Sequence, residues 1–579
     1  MATDLEHVRH SLAHLLAAAV LKLYPGTKQS IGPAIVHGFY YDFEFPSPIT
    51  EDDLPKIETT MRKLLKDWKE FSHREVTADE ARTEFKDNPY KLELIDDIVA
   101  KGEKLTLYTC GGYTDLCRGG HVEHPSRDIP ADSFKLDKLA GAYWRGDEHN
   151  TQLTRIYGLA FASGDELNAY VQMVEEARKR DHKVLGPQLD LFVFSDLVGS
   201  GLPLWTPRGT LVRNLLDDFV WSLRQKRGYE RVEIPHITKR ELYETSGHWD
   251  KYKDDLFRIM TREEHEFAMK PMNCPHHTQI YARRQFSYRD LPQRYANTTM
   301  VYRDEQSGEL SGLSRARSFT QDDAHVFCRL SQAKEEFLKI WDIIHEFYGA
   351  FGFSLAVRLS RHDPAHPEKY LGDPDKWKTA ESLLEEIVRE KKVAYIDGAG
   401  EAAFYGPKLD FLAKDSLGRE WQVATIQLDL NMPDRFDLTC TNEKGEKERI
   451  VMIHAAIMGS IERFLSILIE DTAGAFPLWL SPVQVAVHPI SEKHAGAAGE
   501  VAAKLRMAGL RVEVSTGDET IGKRIRASET WKVPYSVVLG DKDIAAGVVS
   551  VRKRGGEDLG QMKPKEFLDR LRQEARTMT

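Results

Sequence analysis

Apolar residues recur at helical spacing near the start of the chain. In HSLAHLLAAAVLKLYP, residues Leu12, Leu15, Leu16, Ala19, Val20 and Leu23 follow a 3.6-residue period, and Pro25-Gly26 ends the stretch. The pattern predicts an amphipathic helix opening a first unit over 1–163. GDELNAYVQMVEEARKRDHKVL reads as a charged helix stopped at Gly186-Pro187, which predicts a linker over 164–189. From 190 to 480 helices alternate with strand-like runs such as YERVEI, RYANTTMVYRD, HVFCRL, AAFYGPKLDFLA and EWQVATIQLDL. They lack the regular strand-helix repeat of a parallel sheet, so an antiparallel sheet braced by helices is expected. Over 481–579 the runs VQVAVHPI, LRVEVS, YSVVLGD and VVSVRKR alternate with helical stretches, predicting a small α/β domain with a parallel or mixed sheet. The expected fold class is multidomain: an α+β first unit, an α+β core on an antiparallel sheet, and an α/β end.

Composition narrows the function classes. At 579 residues the chain exceeds one hydrophobic core, so three or four domains are expected. No run approaches the ~20 apolar residues that span a bilayer, and MATDLEHVRH has no signal-peptide pattern, so a cytoplasmic protein without membrane contact is expected. Five cysteines (110, 117, 274, 328, 440) in so long a chain form no disulfide framework, which leaves any Cys among polar residues as a ligand candidate. The net charge of −10 argues against a protein that coats nucleic acid. Residues 481–579 nonetheless carry 17 Lys and Arg against 13 Asp and Glu. Their clusters KRIR (Lys523–Arg526) and RKR (Arg552–Arg554) are either phosphate contacts or solvated surface charge.

Tyr302 to Cys328 carries the chemistry. It places Arg303 and Glu305 before a Gly-rich turn, and Arg315 and Phe319 after it, a hairpin offering charge to phosphates and a ring to a base. No G-x-x-x-x-G-K-[ST] loop is present, so a bound triphosphate would be held by side chains. This segment resembles the second signature motif of class II aminoacyl-tRNA synthetases, and its TQDDAH tail is similar to that of the threonyl-tRNA synthetase family. The resemblance covers essentially the whole chain, though most bacterial relatives begin with a small TGS-like domain ahead of the HSLAHLL helix, which is expected to be missing here.

The resemblance implies an ATP-dependent threonine–tRNA ligase that forms threonyl adenylate and passes it to the 3′ end of threonine tRNA. The implied partners are threonine, ATP, Mg²⁺, that tRNA and a second subunit, since Pro235 in YERVEIPHI resembles the first motif, which builds a homodimer interface. Arg303 would hold the α-phosphate, Arg315 the far phosphates, Phe319 would stack on adenine and Glu305 read its amino group. Gln321, Asp323 and Tyr405 would contact threonine, Lys408 and Gln422 lie near the adenylate, and Arg463 in GSIERF resembles the third motif. Cys274, His325 and His454 match positions that hold one Zn²⁺ per subunit, with a coordination position open to substrate. Such an ion, ligated by the amino group and hydroxyl of threonine, would reject valine, which a purely apolar pocket separates only about a hundredfold. Relatives have Gly and Arg where this chain has His276 and Ala455, which puts the local turn and a nucleotide or tRNA contact in question. A prolyl or seryl sister enzyme lacks this Cys/His/His set with the DDAH tail. A non-catalytic tRNA- or mRNA-binding paralogue typically loses the phosphate arginines, all present here.

His10 and His14 stand one helical turn apart, and Cys117 and His121 repeat that spacing. By residue type these four are a zinc set. The resemblance instead points to a metal-free editing pocket that hydrolyses seryl-tRNA, with Tyr41, Lys91, Asp115 and the four His/Cys positions carrying it. Serine escapes the first site because it lacks only a methyl group, so a second sieve is needed. At the carboxyl end the resemblance is to an anticodon-binding domain, with Asp518, Arg526, Asp543 and Arg552 at base-contact positions.

Overall fold

The computed structural model describes residues 4–515 and 519–577. They form two compact units whose bounds fall at Glu176 and Ala177.

The first unit begins with α1 (Leu5–Leu23), capped by Asp4, whose carboxylate accepts from the Glu6 N–H at 3.0 Å. Leu12, Leu15, Leu16, Ala19 and Val20 are fully buried, each leucine contributing about 1.5–3 kcal/mol. Strand β1 (Gly38–Glu44) is followed by α2 (Leu54–Leu65) and α3 (Pro89–Ala100). Then come β2 (Leu105–Cys110), β3 (Tyr113–Leu116), β4 (Phe134–Tyr143) and β5 (Gln152–Ala160). An antiparallel sheet runs in the order Lys28–Gln29, β1, β5, β4, and its apolar face meets α1 and α2 in a core built around Phe39, Phe43, Met61 and Ile156. A smaller antiparallel sheet pairs Ser72–Val76 with β2 and β2 with β3. Helix α4 (Gly164–Arg180) carries the chain past the unit boundary. The next helix, His182–Gln188, is built into the second unit: the buried His182 ring lies 2.6 Å from Glu470 and accepts from the Leu313 N–H at 3.0 Å.

The second unit opens with α5 (Pro207–Gln225), β6 (Glu230–Arg231), α6 (Cys274–Tyr281), β7 (Gln293–Tyr302) and β8 (Ser318–Cys328). It continues through α7 (Leu330–Gly349), β9 (Leu355–Arg361), β10 (Tyr395–Ala399), β11 (Lys408–Lys414) and β12 (Glu420–Asp429) to β13 (Val451–Ser460) and α8 (Ile461–Thr472). The eight strands order as β6-β7-β8-β13-β12-β11-β9-β10. Only the end pairs β6/β7 and β9/β10 are parallel. One face is covered by α5, α7 and α8 through Val212, Leu216, Phe219, Ile340, Phe347, Phe464 and Leu468. The period of two along a strand then presents alternate residues of β8, β12 and β13 to the opposite face, where the chemistry lies. Gly209 in the first turn of α5 is dictated by space, because a Cβ there would sit 1.8 Å from the Leu191 carbonyl oxygen.

The chain ends in β14 (Val485–Pro489), α9 (Ala495–Met507), β15 (Val512–Val514), α10 (Ile521–Thr530), β16 (Tyr535–Leu539), β17 (Val549–Lys553), β18 (Glu557–Met562) and α11 (Pro564–Thr577). Its sheet order is β15-β14-β16-β17-β18, parallel among the first three and antiparallel beyond. Both expected sheets, antiparallel in the core and mixed at the end, are present.

Candidate active site and metal centre

A cavity of about 730 Å³ opens on the face of the large sheet opposite α5, α7 and α8. Its walls include Arg303, Glu305, Arg315, Phe319, Gln321, Lys408, Gln422 and Arg463. Phe319 and Gln321 alternate on β8, Lys408 starts β11, and Arg463 lies in the first turn of α8, its N–H capped by Ser460 at 3.2 Å. The Arg303 guanidinium stands 5.3 Å from the Phe319 ring centre and 5.5 Å from that of Tyr252. Its Nε is buried without a partner, so an acceptor entering the cavity meets an unspent donor. Arg463, pushed down by burial, has the same need for an anion. Glu305 is placed differently from a free adenine reader: its carboxylate takes Arg315 Nε at 2.7 Å. Lys408 and Gln422 share the buried Asp410, at 2.7 and 2.8 Å. Sequence reading passed over Asp410; its only local signal was a carboxylate two residues after Lys408 on a strand of known face.

Beyond the cavity, Cys274, His325 and His454 offer three ligand atoms within 4.8 Å of one another. Helix α6 begins at Cys274, while His325 and His454 are paired residues of neighbouring strands, and His454 is paired in turn with the cavity residue Gln427. Two contacts occupy the outward nitrogens. His454 Nε2 donates to Asp429 at 3.0 Å and His325 Nδ1 meets His277 Nδ1 at 2.8 Å. With those protons placed outward, His325 Nε2 and His454 Nδ1 turn lone pairs toward each other at 3.1 Å. That separation is near the roughly 3.3 Å expected for two nitrogens on tetrahedral zinc. Their rings cross at 82°, so the lone pairs converge. Burial pushes the Cys274 thiol well up and the His325 imidazolium well down. The pocket is buried and rich in lone pairs, and the residues fit a cation. Asp323 is buried, with its carboxyl pushed up to about 6 by that burial. Tyr405 lies 4.8 Å from the His454 ring. His248, which sequence reading missed, sits 3.5 Å from Cys274 Sγ; it belongs to a Gly-His-Trp turn with no spacing relation to the other ligands.

In the first unit, Tyr41 on β1, Lys91 on α3 and Asp115 on β3 meet in a buried cluster. Lys91 Nζ and Tyr41 Oη reach opposite oxygens of Asp115 at 2.5 Å each, and Tyr113 Oη adds a third contact at 3.0 Å. Burial alone would raise the Asp115 carboxyl, but Lys91 holds it below its usual range. Beside it, Cys117 Sγ lies 3.5 Å from His10 Nε2 and 3.3 Å from His121 Nε2. His10 and His14 share a helix face as expected. Cys117 and His121 do not: they bracket an irregular turn in which Gly119 and Gly120 take φ of 97° and 85°. Burial pushes His14 down to about 3, His121 to about 2 and Cys117 up to about 11, so the set is neutral. All four offer atoms within 4.8 Å of one another. The His10 and His121 rings stack 4.4 Å apart at 29°, and both turn Nε2 to the Cys117 thiol.

Of the four carboxyl-terminal positions, Asp518 lies outside the described residues. Arg526 on α10 and Arg552 on β17 are exposed. Asp543 is buried and already accepts from Gly540 N, Ser550 Oγ and Gln561 Nε2 at 2.7–3.0 Å, so most of its acceptor capacity is turned into the fold. The two basic clusters also divide. Arg524 binds Ser515 Oγ and the Glu519 carbonyl, and Arg554 binds three backbone carbonyls, so both are structural.

Comparison with known proteins agrees with this geometry. Residues 257–472 match the class II core domain of tRNA synthetases (G, H, P, S and T), and residues 484–574 an anticodon binding domain. Residues 105–157 match the second additional domain of threonyl and alanyl tRNA synthetases. The threonine–tRNA ligase of Cytophaga hutchinsonii is 48% identical over 565 residues, covering 96% of this chain and 87% of that protein. That of Thermotoga maritima is 46% identical over 572 residues, covering 98% and 88%. A solved structure, the RNA binding domain of threonyl-tRNA synthetase from Cryptosporidium parvum, aligns with TM-score 0.65 at 36% identity over 68% of this chain and 98% of that one.

Proposed function

The chain belongs to the threonine–tRNA ligase family, and we propose how its residues divide that work. It is a class II aminoacyl-tRNA synthetase joining threonine to tRNA with ATP, and it carries an editing domain for mischarged tRNA. Mg²⁺ accompanies the nucleotide. The observation that carries the residue-level reading is the 730 Å³ cavity, which gathers side chains from four separate segments beside a convergent Cys/His/His set.

In this reading Arg303 and Arg463, both short of acceptors, bind the phosphates and stabilise the charge that grows on the α-phosphate as threonine attacks. Arg315, half-exposed, reaches the far phosphates once it leaves Glu305. Phe319 stacks on adenine. Lys408 and Gln422 are oriented by Asp410 toward the adenylate, and Gln321, Asp323 and Tyr405 hold threonine. Cys274, His325 and His454 hold a zinc ion, which when bound supplies a Lewis-acidic position for the amino group and hydroxyl of threonine. Threonine-dependent ATP–pyrophosphate exchange, compared with valine and serine before and after chelation, tests this: exchange with threonine that survives complete zinc removal sinks the metal assignment.

Hydrolysis of seryl-tRNA is assigned to the first unit in the metal-free form that its resemblance to an editing pocket implies, although the four His/Cys atoms lie close enough together to ligate a cation. Neutral His10 can accept a proton from water, while Lys91 and Asp115 fix the pocket's charge and Tyr41. Arg526 and Arg552 are the anticodon contacts retained. A homodimer through the sheet edge at β6, followed by Pro235 and the exposed Ile237, completes the reading. No helix among the described residues is long and apolar enough to cross a membrane.

A further inference from the structure

The far side of β8 holds groups that no reading of the cavity uses. Thr320 and Asp322 alternate with Phe319, Gln321 and Asp323, so they point away from the cavity toward the helices. Helix α5 grips both. Arg224, buried, donates to the Asp322 carbonyl at 2.8 Å and pairs with its carboxylate at 3.2 Å. That carboxylate also takes Ile457 N and Met458 N of β13, at 2.9 and 3.0 Å. This pair fastens strand to strand.

The second grip differs in what it touches. Arg213 Nη2 binds Thr320 Oγ1 and reaches Glu462 Oε1 at 3.4 Å. Glu462 Oε2 in turn accepts the Thr320 N–H at 2.6 Å and the Ser460 hydroxyl at 3.1 Å. Glu462 is 1% exposed, and its removal from water pushes its carboxyl up, an expense a merely decorative carboxylate would not carry. Thr320 and Glu462, the two groups that Arg213 joins, are placed tellingly. Thr320 lies between Phe319 and Gln321, and Glu462 immediately precedes Arg463. Ser460, which caps the Arg463 N–H and binds Glu462, lines the cavity itself. Arg213 is fixed from behind by the Trp205 ring, 4.8 Å away.

We propose that Arg213 and Glu462 are positioning residues for nucleotide binding, locking the adenine-stacking and Gln321 positions of β8 to the helix terminus that carries Arg463. The inference rests on the assignment of the cavity to ATP. One carboxylate spans the backbone of the strand and the first turn of the helix, so the two walls of the cavity keep their spacing only while it is ionised or held in that geometry. Removing the charge lets the walls drift by roughly tenths of an ångström, which a nucleotide held by Phe319 on one wall and Arg463 on the other registers strongly.

The test is threonine-dependent ATP–pyrophosphate exchange with wild type, Glu462→Gln, Arg213→Lys and Arg213→Met, with melting temperatures recorded alongside. The expected result is a KM for ATP raised about tenfold, corresponding to about 1.4 kcal/mol, with the KM for threonine within threefold. Arg213→Lys should recover part of the loss, and the Glu462→Gln/Arg213→Met pair should cost no more than the worse single change. Folded variants whose KM for ATP stays within twofold overturn the proposal, as do variants losing kcat and melting temperature together with both KM values unmoved. Should Glu462→Gln not fold, the two Arg213 variants decide alone. Wild-type protein without threonine-dependent exchange would instead fail the underlying assignment of the cavity.

Discussion

Replacing Lys91 with methionine should separate the two units energetically. Lys91 and Asp115 are each 2% exposed and lie 2.5 Å apart. Methionine keeps the aliphatic stem but strands a carboxylate in the interior, and breaking a buried pair from one side costs about 3–5 kcal/mol. Asp115 retains three donors, Tyr41 Oη, Tyr113 Oη and Leu116 N, at 2.5, 3.0 and 2.8 Å. They relieve part of the penalty, which places the expected loss at the low end, about 3 kcal/mol. For a unit of this size that is a fall of roughly 6–12 °C in its unfolding transition. Calorimetry of the whole chain, with hydrogen exchange followed at α3 and β3, would show the first unit melting early while the second is unchanged. Adding Asp115→Asn should restore part of the loss, because no unpaired charge remains buried. The pH dependence has a definite sign. Asp115 is held below its usual value near 3.8 in the fold, so the pair's contribution is present above that pH and is lost as pH falls through the folded value. Without Lys91, burial raises the carboxyl instead, so the gap between wild type and variant should be widest at pH 7 and narrow toward pH 4. A loss under about 1 kcal/mol at pH 7, or a gap that widens on acidification, would refute the reasoning.

Other outcomes follow from the same geometry. Cys274→Ser should lower bound zinc, read by elemental analysis, and threonine-dependent exchange by at least about a hundredfold, since metal-ligand replacement exceeds the 10–100-fold cost of altering an outer partner. His10→Ala should reduce hydrolysis of seryl-tRNA by roughly 10²–10⁴-fold, the range of a general base, with threonine-dependent exchange as in wild type. Gly209→Ala drives a Cβ into the Leu191 carbonyl oxygen and should destabilise the second unit by about 1–3 kcal/mol in urea unfolding. Arg526→Ala should raise the KM for tRNA and flatten its salt dependence by about one phosphate contact, or relax reading at one anticodon base, and charging of anticodon-variant tRNAs distinguishes these.

Much of this protein was legible along the chain. Periodicity gave α1 and its buried leucines, and the arrhythmic alternation of strands and helices over 190–480 already favoured an antiparallel sheet. Helical spacing put His10 beside His14, because residues one turn apart share a face whatever surrounds them. Resemblance of short motifs grouped Cys274, His325 and His454, which no spacing rule connects. What it left open is contact. Asp543 looked like an acceptor for RNA, yet folding turns it to Gly540, Ser550 and Gln561; Arg524 and Arg554, left by the charge pattern as phosphate contacts or solvated surface charge, instead tie the fold together. His248 and the Arg213–Glu462 pair gave no local signal, and Asp410 gave only its place two residues after Lys408. A sequence pattern reports the period of an element and the side of it that is apolar, because these depend on a residue and its near neighbours. Which lone pair meets which donor depends on strands brought together across 130 residues, from His325 on β8 to His454 on β13, and that is decided only when the sheet closes.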